Sequence, residues 1–248
     1  DIKDLITFIK NPKSIVEMEN GQSIHFYPTN KIRLTIDKES IIKNNVVSPK
    51  QYDSIVPYID IDIKGRALYK NRLMMLDLIA NNNWKRPIYF SGGAYDDEDF
   101  LWMKNYLQLD GMTYKLVPIK TEIPKDASPL EMGGIDTDKM YANVMKWDWG
   151  NSESLSIYHD PETRKNSITY RSYLSRLMNQ LILEGKKEKA SEKLLPFLRI
   201  SKPTLLFFCI LHIKVGSAKP RLFALIQYCL LADSPSDYRQ FFLFYFCF

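Results

Sequence analysis

The segment Asn83-Trp84-Lys85-Arg86-Pro87-Ile88-Tyr89-Phe90-Ser91-Gly92-Gly93 concentrates the residues best suited to hold a ligand. A basic pair, Lys85 and Arg86, precedes a short apolar run bounded by Pro and Gly, the pattern of a buried strand. A Ser-Gly-Gly loop between such a strand and a helix N-terminus can cradle an anion, because free N–H groups and the helix dipole point at it. Trp84, Arg86, Tyr89, Ser91, Gly92 and Gly93 are therefore the candidate binding residues. Two features count against a phosphate. Asp96, Asp97, Glu98 and Asp99 follow directly and would repel it, and neither the GxGxxG nor the GxxxxGK[ST] spacing is present. A tight turn with an acidic helix cap is the plainer reading of the same residues.

Other constellations carry less. The Asp96–Asp99 cluster lacks the alternating ligand ladder of a calcium loop and reads as a solvated helix start. Asp60 and Asp62 alternate on one strand face, where paired carboxylates could do acid–base work or simply form the wet side of an edge strand. His25, His159 and His212 stand far apart, with neither HxH nor HExxH spacing, so no zinc site is expected. No G-x-S-x-G elbow exists. Cys209, Cys229 and Cys247 form no CxxC pair, which argues against a metal or a disulfide framework. No catalytic residue, metal or cofactor is assigned.

The elements that must position these residues follow from periodicity. Ile2 to Ile9 has helical spacing, ended by Asn11-Pro12. Ser23–Tyr27 and Lys31–Ile36 alternate around the turn Pro28-Thr29-Asn30 and read as a hairpin. Tyr58–Ile63 puts Ile59, Ile61 and Ile63 on one face. Asn71–Ala80 is a helix stopped by three asparagines, Pro87–Phe90 a strand, Asp97–Tyr106 a helix and Met112–Pro118 a strand. This order implies an α/β domain over 1–125 with a largely parallel sheet. Residues 126–168 read as an irregular linker or wrapping segment. From 169 to 248 the pattern is all-α. Tyr170, Leu174, Leu177 and Leu181 share a face, Gly185 turns, and Lys187–Leu198 restarts, resembling a tetratricopeptide-type hairpin. A weaker copy follows between Leu206 and Leu231.

An apolar share of 45%, a charged share of 25% and a net charge of +5 fit a globular chain and give no basic stripe for nucleic acid. Its many aromatics are expected mainly in the core. The start at Asp1, without a basic or apolar leader, reads as a cut inside a longer protein. The aromatic end FFLFYFCF reads as sequence that does not encode native structure, and the trustworthy part ends near Leu198.

Three longer stretches carry a resemblance: Asn71 to Phe90, Tyr106 to Met112 and Tyr114 to Lys120. Lys31 to Leu34 with Asp37-Lys38, Tyr69-Lys70, Asn143 to Met145 with Trp147 and Trp149-Gly150, and Gly185 to Ala190 extend it. Together they resemble the C-terminal part of the bacterial membrane-protein family called domain of unknown function 2723, related to the transmembrane protein 260 O-mannosyltransferases. The resemblance implies a multi-span N-terminal half similar to lipid-linked-sugar (GT-C type) glycosyltransferases, whose acidic base lies in an early extracytoplasmic loop. The present chain would be an extracytoplasmic, periplasmic accessory region. Its partners would be that membrane half and an acceptor protein or glycan. A protein–protein interaction module of the cell envelope is the competing expectation, and an independent carbohydrate-active enzyme using Asp60, Asp62 or Asp96–Asp99 a third.

Overall fold

The computed structural model describes residues 1–65, 67–91, 96–124, 127, 129–148 and 156–190, in two compact units divided within one helix: Asp1–Met140 and Tyr141–Phe248. Helix α1 (Ile2–Ile9) starts at a capping box made by Asp1 and Asp4, and buries Ile2, Leu5 and Ile6. Three small sheets follow. Strands β1 (Ile15–Glu17) and β2 (Ser23–His25) form an antiparallel ribbon. Strands β3 (Lys31–Thr35) and β4 (Tyr58–Asp62) form a second, with the short helix α2 (Lys38–Lys43) between them in sequence. In this second ribbon Ile32, Leu34, Ile59 and Ile61 are buried, while Arg33 and Asp60 pair on the open face. The period-two reading of Tyr58–Ile63 therefore holds.

The expected hairpin between residues 23–27 and 31–36 does not form. An Asn20-Gly21 turn, with Gly21 at φ +77°, folds β2 back on β1 instead. Strand β3 then takes β4 as its partner.

Helix α3 (Lys70–Asn82) packs on α1 through a face that includes Leu76, Ile79 and Ala80. It ends where Asn83 and Trp84 both adopt left-handed backbone, φ 47° and 57°. Asn is the residue most tolerant of that conformation after Gly, so the asparagine run stops the helix as its composition suggested.

The largest sheet has the order β5-β7-β6-β8, from β5 (Tyr89–Ser91), β6 (Leu107–Asp110), β7 (Thr113–Leu116) and β8 (Gly134–Ile135). Only β6–β8 is parallel. The largely parallel core expected from the element order is thus corrected to a mixed and mainly antiparallel sheet. The cause is local: Gly111 (φ +68°) turns the chain directly after Asp110, so β6 and β7 form a hairpin without a crossover helix.

The expected helix over Asp97–Tyr106 is likewise replaced. Two short 3-10 turns, Asp97–Phe100 and Lys104–Tyr106, flank Leu101 and Trp102, both left-handed at φ 51° and 57°. Phe100, Leu101 and Met103 are all fully buried. In a regular helix Phe100 and Met103 would share a face and Leu101 would lie about 100° from Phe100, whereas the left-handed pair lets all three be buried together. Burial of each such side chain is worth roughly 1.5–3 kcal/mol, enough to offset about 1–2 kcal/mol for a bulky left-handed residue.

Residues 126–168, expected to be irregular, contain β8 and α4 (Thr137–Val144). In the second unit α5 (Pro161–Leu183) is capped by Asp160, which accepts from the Glu162 and Thr163 amides. Leu174, Leu177 and Leu181 are buried in one stripe as their spacing required, with Tyr170 half exposed at its end. Gly185 turns at φ +77° and a new helical turn begins at Lys187. The remainder of the expected first hairpin, the second one and all three cysteines lie outside the described residues.

Candidate functional site

Register decides which side chains share a face of the large sheet. Phe90, Tyr114 and Leu109 are cross-strand neighbours, and so are Leu116 and Leu107; all five are buried. Phe100 stacks beneath them, its ring centroid 5.7 Å from Phe90 and 6.3 Å from Tyr114. The opposite face is polar. One row runs Tyr89, Lys115, Gln108 and the next Ser91, Thr113, Asp110.

A strap formed by residues 46–51 covers one part of this face. Lys115 Nζ donates to the Val46 carbonyl at 2.7 Å, and Gln108 Nε2 lies 3.5 Å from Gln51 Oε1. Burial, aided by the nearby Lys139 charge, holds the Lys115 ammonium below the usual lysine range, although Asp110 and Asp136 pull the other way. Beyond the strap the face is open. Tyr89 is 46% exposed, and its hydroxyl donates to Asp110 Oδ2 at 3.0 Å. Burial of the hydroxyl end and the Asp110 carboxylate push the Tyr89 phenol up to about 12, so it stays a neutral donor.

The strap is anchored by Asp136, whose side chain is 1% exposed. It accepts from Ser48 Oγ and, at 3.2 Å, from Lys50 Nζ, which also reaches Asp138 at 3.0 Å. The Lys139 amide approaches the same carboxylate at 3.4 Å across the first turn of α4. Burial alone would raise the Asp136 carboxyl. The Ser48 and Lys50 hydrogen bonds and the Lys50 charge outweigh it, leaving the group below its ordinary range.

Of the residues singled out by sequence, Tyr89 and Ser91 stand on this polar face. Trp84 and Arg86 precede the strand. Trp84 completes the left-handed turn, and the Asn82 side chain clasps Arg86 by accepting from its amide at 3.2 Å and donating to its carbonyl at 2.7 Å. Gly92 and Gly93 lie outside the described residues. Lys115, Gln108, Asp110 and Thr113 were not singled out. The alternation in MTYKLVP already separates Thr113 and Lys115 from Tyr114 and Leu116, but only the register brings them beside Tyr89. Nothing local marks Ser48 or Asp136.

Four of the other acidic candidates, Asp60, Asp97, Glu98 and Asp99, are tied to cations. Arg33 grips Asp60 through Nε and a terminal nitrogen at 2.6 and 3.0 Å, and its guanidinium lies 3.7 Å from the Tyr58 ring centre. The Arg33 hydrogen bond holds the Asp60 carboxyl below its usual range. Asp97 pairs with Lys64 at 3.1 Å, and Glu98 and Asp99 with Arg72 at 3.5 and 2.6 Å. Among the described residues no group of three or more His, Cys, Asp or Glu could hold a metal ion.

Residues 1–139 match the family described as TMEM260-associated domain 2. The chain belongs to this family. The matched region ends inside α4 and contains the whole polar face with Asp136. Neither the curated proteins nor the solved structures give a match. Membership links the chain to TMEM260-like proteins, and among the described residues no helix is long and apolar enough to cross a membrane.

Proposed function

We propose that this chain is an accessory domain of a TMEM260-like membrane protein of the glycosyltransferase type. In this reading it lies on the extracytoplasmic side and holds the acceptor while the membrane half makes the bond. The observation that carries the proposal is the open part of the polar sheet face. Exposed Tyr89, with Ser91 and Thr113 nearby, offers hydrogen-bond donors and acceptors beside an aromatic surface. Such a surface suits binding, whereas glycoside hydrolysis asks for a pair of carboxylates tuned apart. A purely structural sheet surface would need no exposed aromatic there.

The test is kinetic. In the intact membrane protein, Tyr89→Ala is expected to raise KM for the acceptor several-fold with kcat nearly unchanged, because binding that is equal in ground and transition states appears in KM. A fall in kcat with KM unchanged would refute the holding role.

A second reading, an interaction module of the envelope, is favoured by a different observation. Val16, Met18, Ile24 and Phe26 share one face of the β1–β2 ribbon, and each is more than 40% exposed.

A further inference from the structure

An antiparallel ribbon of two strands is marginally stable in water unless a further strand or a packed face supports it. Every residue of β1 and β2 is exposed, and among the described residues no other strand lies along either one. On one face Val16, Met18, Ile24 and Phe26, none of them charged, are each more than 40% exposed. Resting on the second reading above, in which this ribbon is an interaction surface, we infer that the open edge of β2 pairs antiparallel with β2 of a second copy of this chain. The two ribbons then form one continuous sheet, β1-β2-β2-β1.

Backbone direction identifies the groups available. The Met18 amide donates to the Gln22 carbonyl and the Phe26 amide to the Ser14 carbonyl, both at 2.8 Å. With Val16 opposite Ile24, the even-numbered residues form the hydrogen-bonded pairs inside the ribbon, and the odd-numbered ones direct N–H and C=O outward. On β2 these are Ser23 and His25. Among the described residues no hydrogen bond uses the backbone of either.

The two edges differ in what they can accept. On β1 the outward residues are Ile15 and Glu17, and the Ile15 N–H already donates to the Pro12 carbonyl. Glu17 puts a charge on that edge, and a second β1 laid against it would bring like charges together. The β2 edge has no such guard. From Gln22 to Phe26 it carries no acid, lysine or arginine, and its outward donors are intact. It can lie against a copy of itself without a repulsive pair.

Centred on Ile24, the Ser23 amide donates to the second copy's His25 carbonyl and the His25 amide to its Ser23 carbonyl, both repeated by the two-fold. Ile24 then meets the second copy's Ile24 in the closer, non-hydrogen-bonded arrangement, with Cβ atoms about 4.5–5.5 Å apart. Val16 extends this apolar row on either side, and Phe26 comes opposite uncharged Gln22. The His25 ring does not obstruct the edge. Its Nδ1 lies 2.8 Å from Ser14 Oγ, which holds it back toward the start of β1. A lipid surface would cover the apolar face but supply no partners for the outward N–H and C=O groups, whereas a strand supplies them.

Pairing along one short edge belongs to the narrow class of interfaces, so half-assembly is expected at about 0.1 mM. The experiment is sedimentation equilibrium of the full 248-residue chain, with amide hydrogen exchange on the same samples. The apparent mass is expected to rise from one copy toward two across concentrations bracketing that value. The Ser23 and His25 amides should gain protection as it does, and the Glu17 amide should not. Ser23→Pro removes an outward donor but no bond inside the ribbon, and Ile24→Lys sets two ammonium groups against each other at the two-fold. Each should weaken the dimer at least about tenfold. Protection of the Met18 amide, which bonds inside the ribbon, shows that a variant still folds there. Glu17→Gln should leave assembly unchanged.

A chain still monomeric at about 1 mM, a dimer untouched by both β2 variants, or protection at Glu17 in place of Ser23 and His25 would each overturn the inference. Phosphatidylcholine vesicles that bind the monomer and lose it in Ile24→Lys would reassign the face to lipid and overturn it as well. A monomer whose intact membrane protein loses a different protein partner in Ile24→Lys refutes self-pairing and leaves the interaction module standing. The KM effect at Tyr89 is read separately and bears on neither outcome.

Discussion

Asp136 offers the sharpest test of how the site is built. Replacing a buried charged partner usually costs about 3–5 kcal/mol, because the other charge is left buried and alone. Here the partners have alternatives. Lys50 is 43% exposed and keeps Asp138 at 3.0 Å, and the Ser48 hydroxyl can turn to Gln51 Oε1 at 3.1 Å. Asp136→Ala therefore loses a helix-capping interaction, about 1 kcal/mol, and a charge-assisted hydrogen bond, about 1.5 kcal/mol at the lower end of its range. We expect about 2–3 kcal/mol in urea denaturation, with about 1 kcal/mol for Asp136→Asn, which retains an acceptor. Asp138→Ala, half exposed, should cost under about 0.5 kcal/mol. The pH dependence fixes the sign. The folded carboxyl lies below its unfolded value near 3.9, so its contribution is present above that value and lost as pH falls through the folded one. Asp136→Asn should remove this acid-side slope. A cost below about 0.5 kcal/mol for Asp136→Ala, or an unchanged acid slope, would refute the anchoring role.

Two other outcomes follow from the same sheet. Gly133 sits at φ +78°, and a Cβ there would lie 3.0 Å from the Leu107 carbonyl oxygen; Gly133→Ala should therefore destabilise by at least about 1–2 kcal/mol and loosen the β6–β8 pairing in hydrogen exchange. The Tyr89 phenol, raised from 10 to about 12, gives stability that is intact below pH 10 and fades as pH rises toward 12; absorbance titration should show a late-ionising tyrosine that disappears in Tyr89→Phe, and a titration near 10 would contradict the Asp110 contact.

Local patterns were legible where one residue type or one period decides the element. Asn11-Pro12 ends α1, the asparagine run ends α3, and alternating isoleucines define β4. Pairing was not legible, because alternation says which side chains share a face and not which strand lies alongside. The reading of a parallel sheet came from element order, and a single Asp110-Gly111 turn overrode it. The failed helix at 97–106 has a tertiary cause. Arg72 and Lys64, distant in sequence, satisfy its acids, and three nearly consecutive residues are drawn into the core.

The same distinction bears on function. In sequence, the basic pair and glycines of residues 83–93 make a candidate binding segment, with an anion cradle weighed against a plain tight turn and an acidic helix cap. In the structure Arg86 is clasped through its backbone by Asn82, and Tyr89 and Ser91 turn toward a face completed by Lys115 and Thr113. That face carries Lys115 and Asp110 from β7 and β6, so the local excess of positive charge at Lys85-Arg86 does not by itself define its electrostatics. Charge balance is a property of register, since it depends on Lys115 lying opposite Tyr89 and Asp110 lying opposite Thr113. A one-residue slip of β7 would send Lys115 to the core face and Tyr114 to the polar one. Tyr114, buried against Phe100, holds that register, and so the aromatic core beneath the sheet determines which side chains the opposite face presents.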